Sequence, residues 1–434
     1  MAGANATSYD LPPLPDYTLR PLEPLSSWAS DAFIQAALPV VGYWIVSLIF
    51  HAIDVLDLFP QYRLHTPAEV LKRNHVSRYE VLRDVVLQQI IQIIASFSLS
   101  LFDEAPSTGK ADYDVAWYAQ KIRIAQSAVP YVLSAIGLNP TGLATKLADA
   151  HPMLASVAMG GKYPSLLQAV SIAGESTMVP AFASWEVSLA SFVYWYGIPA
   201  IQFTAAIVIM DAWEYMLHRA MHMNKWLYVT FHSRHHRLYV PYAYGALYNH
   251  PLEGFAMDTL GAGLSYLITG MTMRQSMWFF TISTVKTVLD HGGYEFPWDP
   301  THWVFPNNAA YHDIHHQSWG IKTNFSQPFF IYLDRIGGTM YKGDVKEKYE
   351  RARRTAQQKL DQELENEART VSAESVSIAT EENVRPQGAS TPRMSRKKAT
   401  SISSPAGNFK DLTNMVNANL HGRRANVLGM ESSH

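Results

Sequence analysis

The sequence predicts an all-α integral membrane protein: transmembrane helices with a cytoplasmic helical cap that holds a histidine-rich dimetal site. Three observations predict it. Several apolar runs are long enough to cross a bilayer, the histidines gather into three short clusters, and the basic residues gather on the side of the membrane where those clusters fall. Charged residues make up only 17% of the chain, against roughly 25% in ordinary soluble domains.

Composition removes several classes at once. The net charge is −2 and the pI about 6.8, so nothing points to nucleic acid. There is no cysteine, which excludes disulfides, iron–sulfur clusters, thiolate zinc sites and haem-thiolate chemistry. The mean hydropathy of −0.07 averages an apolar middle with a very polar tail.

Residues 1–31 are Pro-rich and polar and read as a flexible arm; no cleaved signal peptide is evident. A first transmembrane hairpin is expected over 32–102. Its first helix is Ala32–Ile53, charge-free and long enough for a hydrocarbon core of about 30 Å; its second is Val85–Phe102, weakened by three glutamines. The loop between them carries Arg63, Lys72, Arg73, Arg78 and Arg83, whereas the arm carries only Arg20, so the positive-inside bias makes the loop cytoplasmic. Within it Pro67 starts a short helix with Thr66 as its cap.

An insert over 103–185, expected to be lumenal, holds short helical stretches such as Val115–Ile136 and no legible chemistry; its lone His151 reads as structural. Residues 186–341 combine membrane helices with the histidine clusters. Val187–Met210 is long enough to cross, with Pro199 expected to kink it. Phe255–Val288 reads as a hairpin turning at Arg274, and its even number of passes returns the third cluster to the side of the first two. Residues 342–370 read as a charged, solvated helix, and 371–434 as a Ser-rich disordered tail.

The clusters are His218 and His222 in H-x-x-x-H, then His232, His235 and His236, then His312, His315 and His316, both in H-x-x-H-H. On a helix, residues three and four apart share a face, so each cluster aims at least two imidazoles at one point. Imidazole is the commonest protein metal ligand, and eight rings can hold more than one ion. A zinc hydrolase would need Glu after the first His, where Arg219 stands. Soluble di-iron bundles use Glu-x-x-His pairs in a four-helix bundle, whereas the clusters here are His-rich instead. Gly261-Ala262-Gly263 lacks the third glycine of a dinucleotide loop and reads as small residues at a helix contact. A histidine-rich, membrane-attached site for nearby ions remains, with iron and zinc both open.

The series of boxes resembles the fatty acid hydroxylase superfamily of membrane di-iron oxygenases. The flanks Asp211-Ala212-Trp213-Glu214-Tyr215, Val240-Pro241-Tyr242 through Asn249-His250-Pro251, Asn308-Ala309-Ala310-Tyr311 and Asn324-Phe325-Ser326-Gln327-Pro328 are similar to those of fungal sphinganine C4-hydroxylases. The resemblance covers about 205–340. It implies that the eight box histidines bind two iron ions (Fe2+/Fe3+), with His250 and His291 completing the spheres and Glu295 and His302 in reserve. Asp211, Glu214, Asp290 and Asp313 would fix ring tautomers from behind the ligands. It further implies O2-dependent hydroxylation of a sphingoid lipid at C4 in the endoplasmic reticulum membrane. Electrons would come from NAD(P)H through an external cytochrome b5 and its reductase, with Arg234 and Arg237 expected to dock that partner. The alternatives are a sterol C5-desaturase or C4-methyl sterol oxidase of the same superfamily and, outside enzymes, a membrane metal-binding protein.

Overall fold

The structure, a computed structural model, describes residues 11–172 and 175–383. It is mostly helical, and three helices are long and apolar enough to cross a membrane: Asp31–Val55, Arg78–Ser100 and Ser184–Met223. The expected hairpin over 255–288 is present as two helical segments, but neither is among those three. The first runs from Pro251 through a five-residue π-turn, Phe255–Thr259, to Thr269; the second is Met273–Asp290. The chain reverses at Gly270, whose φ of 61° suits a residue without Cβ, rather than at Arg274, which lies inside the second helix.

The chain divides into two compact units. One comprises Gln35–Phe97, Ile207–Ser265 and the chain from Met277 onward. Its core gathers Tyr43, Phe50, Val81, Val85, Leu238, Tyr248 and Val288, so two membrane helices and the segment after the second histidine box share one apolar interior. Two of the glutamines that weaken Arg78–Ser100 as a lipid-facing helix, Gln88 and Gln89, are buried; Gln89 Oε1 accepts from the Trp44 indole at 2.9 Å, while the Gln88 amide has no hydrogen-bond partner among the described residues. The small-residue reading of Gly261 holds. A Cβ there would stand 2.7 Å from the Trp213 ring, whose Nε1 donates to the Ala256 carbonyl at 2.8 Å. The loop after Asp31–Val55 is tied down by Leu64 N–H donating to Gly293 O (2.9 Å) and by Arg63 pairing with Asp54 and Asp57. Pro67–Arg73 starts with a full capping box between Thr66 and Glu69.

The other unit comprises the chain up to Ile34, Ser98–Ala206 and Tyr266–Ser276. It departs from an all-α reading through two small antiparallel ribbons: Arg20–Pro21 with Ser107–Thr108, and Leu167–Ile172 with Glu175–Pro180. The expected helix over 115–136 is two, Ala111–Gln126 and Val129–Ala135, broken where Pro130 lacks a donor. Pro199 is met differently: a π-turn at Val193–Gly197 absorbs the misfit just before it. Glu186 is the buried centre, taking hydrogen bonds from Arg123 (Nε, 2.7 Å), Gln126 and the Ala183 N–H.

The charged helix runs Val345–Asn383, thirteen residues past its expected end at 370. The rest of the expected tail, 384–434, lies outside the described residues.

Candidate metal centre

Nine histidines form two groups in which every ligand nitrogen lies within 4.8 Å of the others. The first is His218, His222, His232, His236 and His315; the second is His235, His291, His312 and His316. All nine are buried. The boxes interleave. Each H-x-x-H-H gives its i, i+4 pair to one group and its middle histidine to the other: His232 and His236 against His235, His312 and His316 against His315. His218 and His222 end the Ile198–Met223 helix, and the third box lies on Ala309–His316. The second box is a tighter 3-10 stretch, His232–Arg237, rather than an α-helix.

The second nitrogen of most rings is fixed from behind. Nδ1 donates to a backbone carbonyl in His218 (Phe325, 2.8 Å), His235 (Tyr248, 3.1 Å), His291 (Thr287, 2.8 Å), His315 (Thr323, 2.7 Å) and His316 (Leu238, 2.9 Å). A carbonyl only accepts, so the proton sits on Nδ1 and Nε2 carries a free lone pair. Burial pushes His235 down to about 4 and His291 to about 3, and holds His232, His236, His312, His315 and His316 well below the usual imidazole range. The rings are therefore neutral near pH 7.

These lone pairs converge. Nε2–Nε2 separations are 3.1 Å for His218–His232, 3.0 Å for His232–His236, 3.1 Å for His222–His236 and 3.2 Å for His236–His315. In the second group His235–His316, His291–His312 and His312–His316 are each at 3.1 Å. Opposed lone pairs repel unless a cation lies between them, so the donor set fits bound metal ions.

His291 thus joins the boxes, while His250 lies in neither group. Its Nδ1 accepts from Leu252 N–H at 3.3 Å, capping the short helix that begins at Pro251. Glu295 and His302 are in neither group either. Of the four carboxylates expected behind the ligands, none accepts from a cluster ring among the described residues. Asp211 takes Phe329 and Phe330 N–H (3.1 and 2.9 Å), Asp290 pairs with Lys286, and Glu214 is hydrogen-bonded to Gln327. Asp313 follows His312 directly, so the helix turns it off the ligand face and onto His65 at 2.9 Å.

The carboxylate that does serve a ligand is Glu253, which accepts the Nδ1 proton of His232. Its sequence signal was a helix start, His250-Pro251 followed by Glu at the third position. Asp334 was also missed. It accepts from Phe325 and Ser326 N–H (3.0 and 2.8 Å) and from the Tyr311 hydroxyl (2.8 Å), fixing the segment whose carbonyls hold His218 and His315. Arg234 and Arg237 are engaged internally, with Asp84 (2.5 Å) and Glu80 (2.6 Å).

Residues 203–339, which hold all nine histidines, match the fatty acid hydroxylase family model. The sphingolipid C4-hydroxylase of Saccharomyces cerevisiae is 40% identical over 329 residues, 76% of this chain and 77% of that protein. The chain belongs to the fatty acid hydroxylase family. The sphinganine C4-monooxygenase 1 of Arabidopsis thaliana is 37% identical over 71% of this chain and 88% of its own length. A very-long-chain aldehyde decarbonylase of Oryza sativa subsp. japonica is 34% identical over 73% and 91%. Methylsterol monooxygenases match only 33% of this chain. No solved structure matches.

Proposed function

We propose that this protein is a sphinganine C4-hydroxylase, acting on the free base or on dihydroceramide to make phytosphingosine-type bases. The observation that carries the reading is the pair of histidine groups with opposed lone pairs, in a chain similar over most of its length to sphingolipid C4-hydroxylases. The sterol reading is weaker because that likeness stops at a third of the chain.

Iron fits the geometry better than structural zinc. Structural zinc takes four protein ligands in a tetrahedron. Five rings in one group exceed the four of a structural zinc site. Bound there, a pair of irons would supply reductive O2 activation, with electrons from NAD(P)H through a separate cytochrome b5. In the overall reaction one oxygen atom enters the C4–H bond as hydroxyl. The other leaves as water, taking up a pair of electrons and a pair of protons.

The chain's own contribution is preorganisation. Backbone carbonyls and Glu253 hold the proton on the far ring nitrogen of His218, His232, His235, His291, His315 and His316, so the near nitrogen of each is ready to bind. The site faces the cytoplasm in this reading, on the side of the basic loop after the first membrane helix, in the endoplasmic reticulum; the 103–185 insert is lumenal.

The test is lipid mass spectrometry on membranes holding this protein, given isotopically marked sphinganine, NADPH and O2, with His235→Ala alongside. A base heavier by one oxygen, made by the wild type and lost in the variant, is expected. Its absence with a working electron donor would sink the assignment, and the sterols and hydrocarbons of the same extract would be examined next.

A further inference from the structure

A cavity adjoins the nine histidines. Rings from both groups face it, His218 and His232 from the first and His235 and His291 from the second. Four carboxylates line it too: Glu214, Glu253, Asp258 and Asp290. Two of them are answered. Glu253 holds the His232 proton, and Asp290 pairs with Lys286 and accepts from the Asn307 amide at 3.3 Å.

The other two lack a cation. Glu214, 3% exposed, sits one helical turn before His218 and is hydrogen-bonded to the neutral Gln327 amide. Asp258 stands in the π-turn Phe255–Thr259, and its Oδ2 is buried with no hydrogen-bond partner. No lysine or arginine pairs with either among the described residues. A carboxylate in such a place is costly unless a positive group answers it. Single π-turns inside α-helices recur at functional sites.

The proposed substrate brings that group. A free long-chain base carries a primary ammonium on C2, and the carbon to be hydroxylated is C4. Across N–C2–C3–C4, with bonds near 1.5 Å, the nitrogen can be no more than about 4 Å from C4. Whatever recognises the amine must therefore line the same cavity as the metal-ligating rings, and Glu214 and Asp258 do. We infer that these two carboxylates bind the C2 ammonium and select the free base over its N-acylated form, whose amide nitrogen is neutral. The inference rests on the hydroxylase reading and decides between the two substrates that reading leaves open.

The experiment compares sphinganine with N-acetyl-sphinganine in membranes holding wild type, Glu214→Gln or Asp258→Asn, with the iron content of each purified protein measured by mass spectrometry. The expected result is that wild type prefers the free base. Each variant should lower the ratio of kcat/KM for base over amide by about tenfold or more, the size of a lost charged hydrogen bond, through KM for the base, with iron retained. Equal losses on both substrates, loss of iron, an unmoved ratio, or a wild type that prefers the amide would each overturn the amine site while leaving the hydroxylase standing. A wild type that hydroxylates neither substrate would overturn both.

Discussion

His235 and His316 face each other Nε2 to Nε2 at 3.1 Å although each ring spends its only proton on a backbone carbonyl, Tyr248 in one case and Leu238 in the other. With both rings buried and held neutral, nothing in the pair can donate. The contact is favourable only around a cation, so folding and metal binding are coupled here. The purified protein should hold about two ions per chain, one for each group. Chelation should lower its melting temperature in detergent, and returning iron should restore it. His312→Ala, which touches only the second group, should leave about one ion per chain; elemental analysis still finding two would break the assignment.

Glu253 would act on a bound metal through His232, whose Nδ1 proton it accepts. A glutamine carbonyl can still accept that proton, whereas alanine cannot, and in the alanine variant the ring can turn or change tautomer. Removing such a partner typically costs 10–100-fold in metal affinity or activity. The expected order for iron retention during dialysis against chelator is wild type, then Glu253→Gln, then Glu253→Ala, with activity in the same order. Glutamine behaving like alanine would mean that charge, not tautomer control, is what Glu253 supplies.

The box histidines were legible because their i, i+3, i+4 spacing has one physical use. Their division between two groups was not, since it depends on where three separate segments meet: His315 joins His236 at 3.2 Å across 79 residues. His291 stands alone in the sequence and was reachable only by resemblance. His250 looked equivalent, but its Pro251 neighbour makes it a helix cap. The carboxylates near the boxes misled because one residue of offset on a helix turns a side chain by about 100°, as it does Asp313. The three long apolar helices followed from hydropathy, while the π-turns and the Leu167–Ile172 ribbon left no signal stronger than the apolar runs around them.

His65 lies between two carboxylates, Glu69 on Nδ1 at 3.0 Å and Asp313 on Nε2 at 2.9 Å. The Tyr349 ring packs on it and its hydroxyl donates to Asp313, while Arg73 and Arg353 reach Glu69. Burial opposes the imidazolium, but the two carboxylates outweigh it and push His65 from 6.5 up to about 9. A raised folded-state pKa stabilises fully below 6.5, and the gain is lost as pH rises through 9. That gain is on the order of 3 kcal/mol. Melting temperature in detergent should therefore fall between pH 6.5 and 9 in the wild type, and fall less in His65→Gln. Parallel curves would show that His65 is not charged in the folded protein.

Arg123 and Glu186 form a second buried pair, with Arg123 4% exposed and Glu186 fully covered. Arg123 Nη2 also donates to the Ala181 carbonyl at 3.0 Å, and Gln126 donates to Glu186 at 2.6 Å, so the pair joins the Ala111–Gln126 helix to the start of Ser184–Met223. Removing one partner strands the other charge away from water, at a cost of about 3–5 kcal/mol, whereas replacing both with apolar groups of similar volume is often close to neutral. Arg123→Met should therefore lower the melting temperature more than the double variant Arg123→Met/Glu186→Leu does. This inversion of additivity reports directly on the stranded carboxylate. A double variant at the sum of the two single losses would place the stabilisation in separate packing at each site instead.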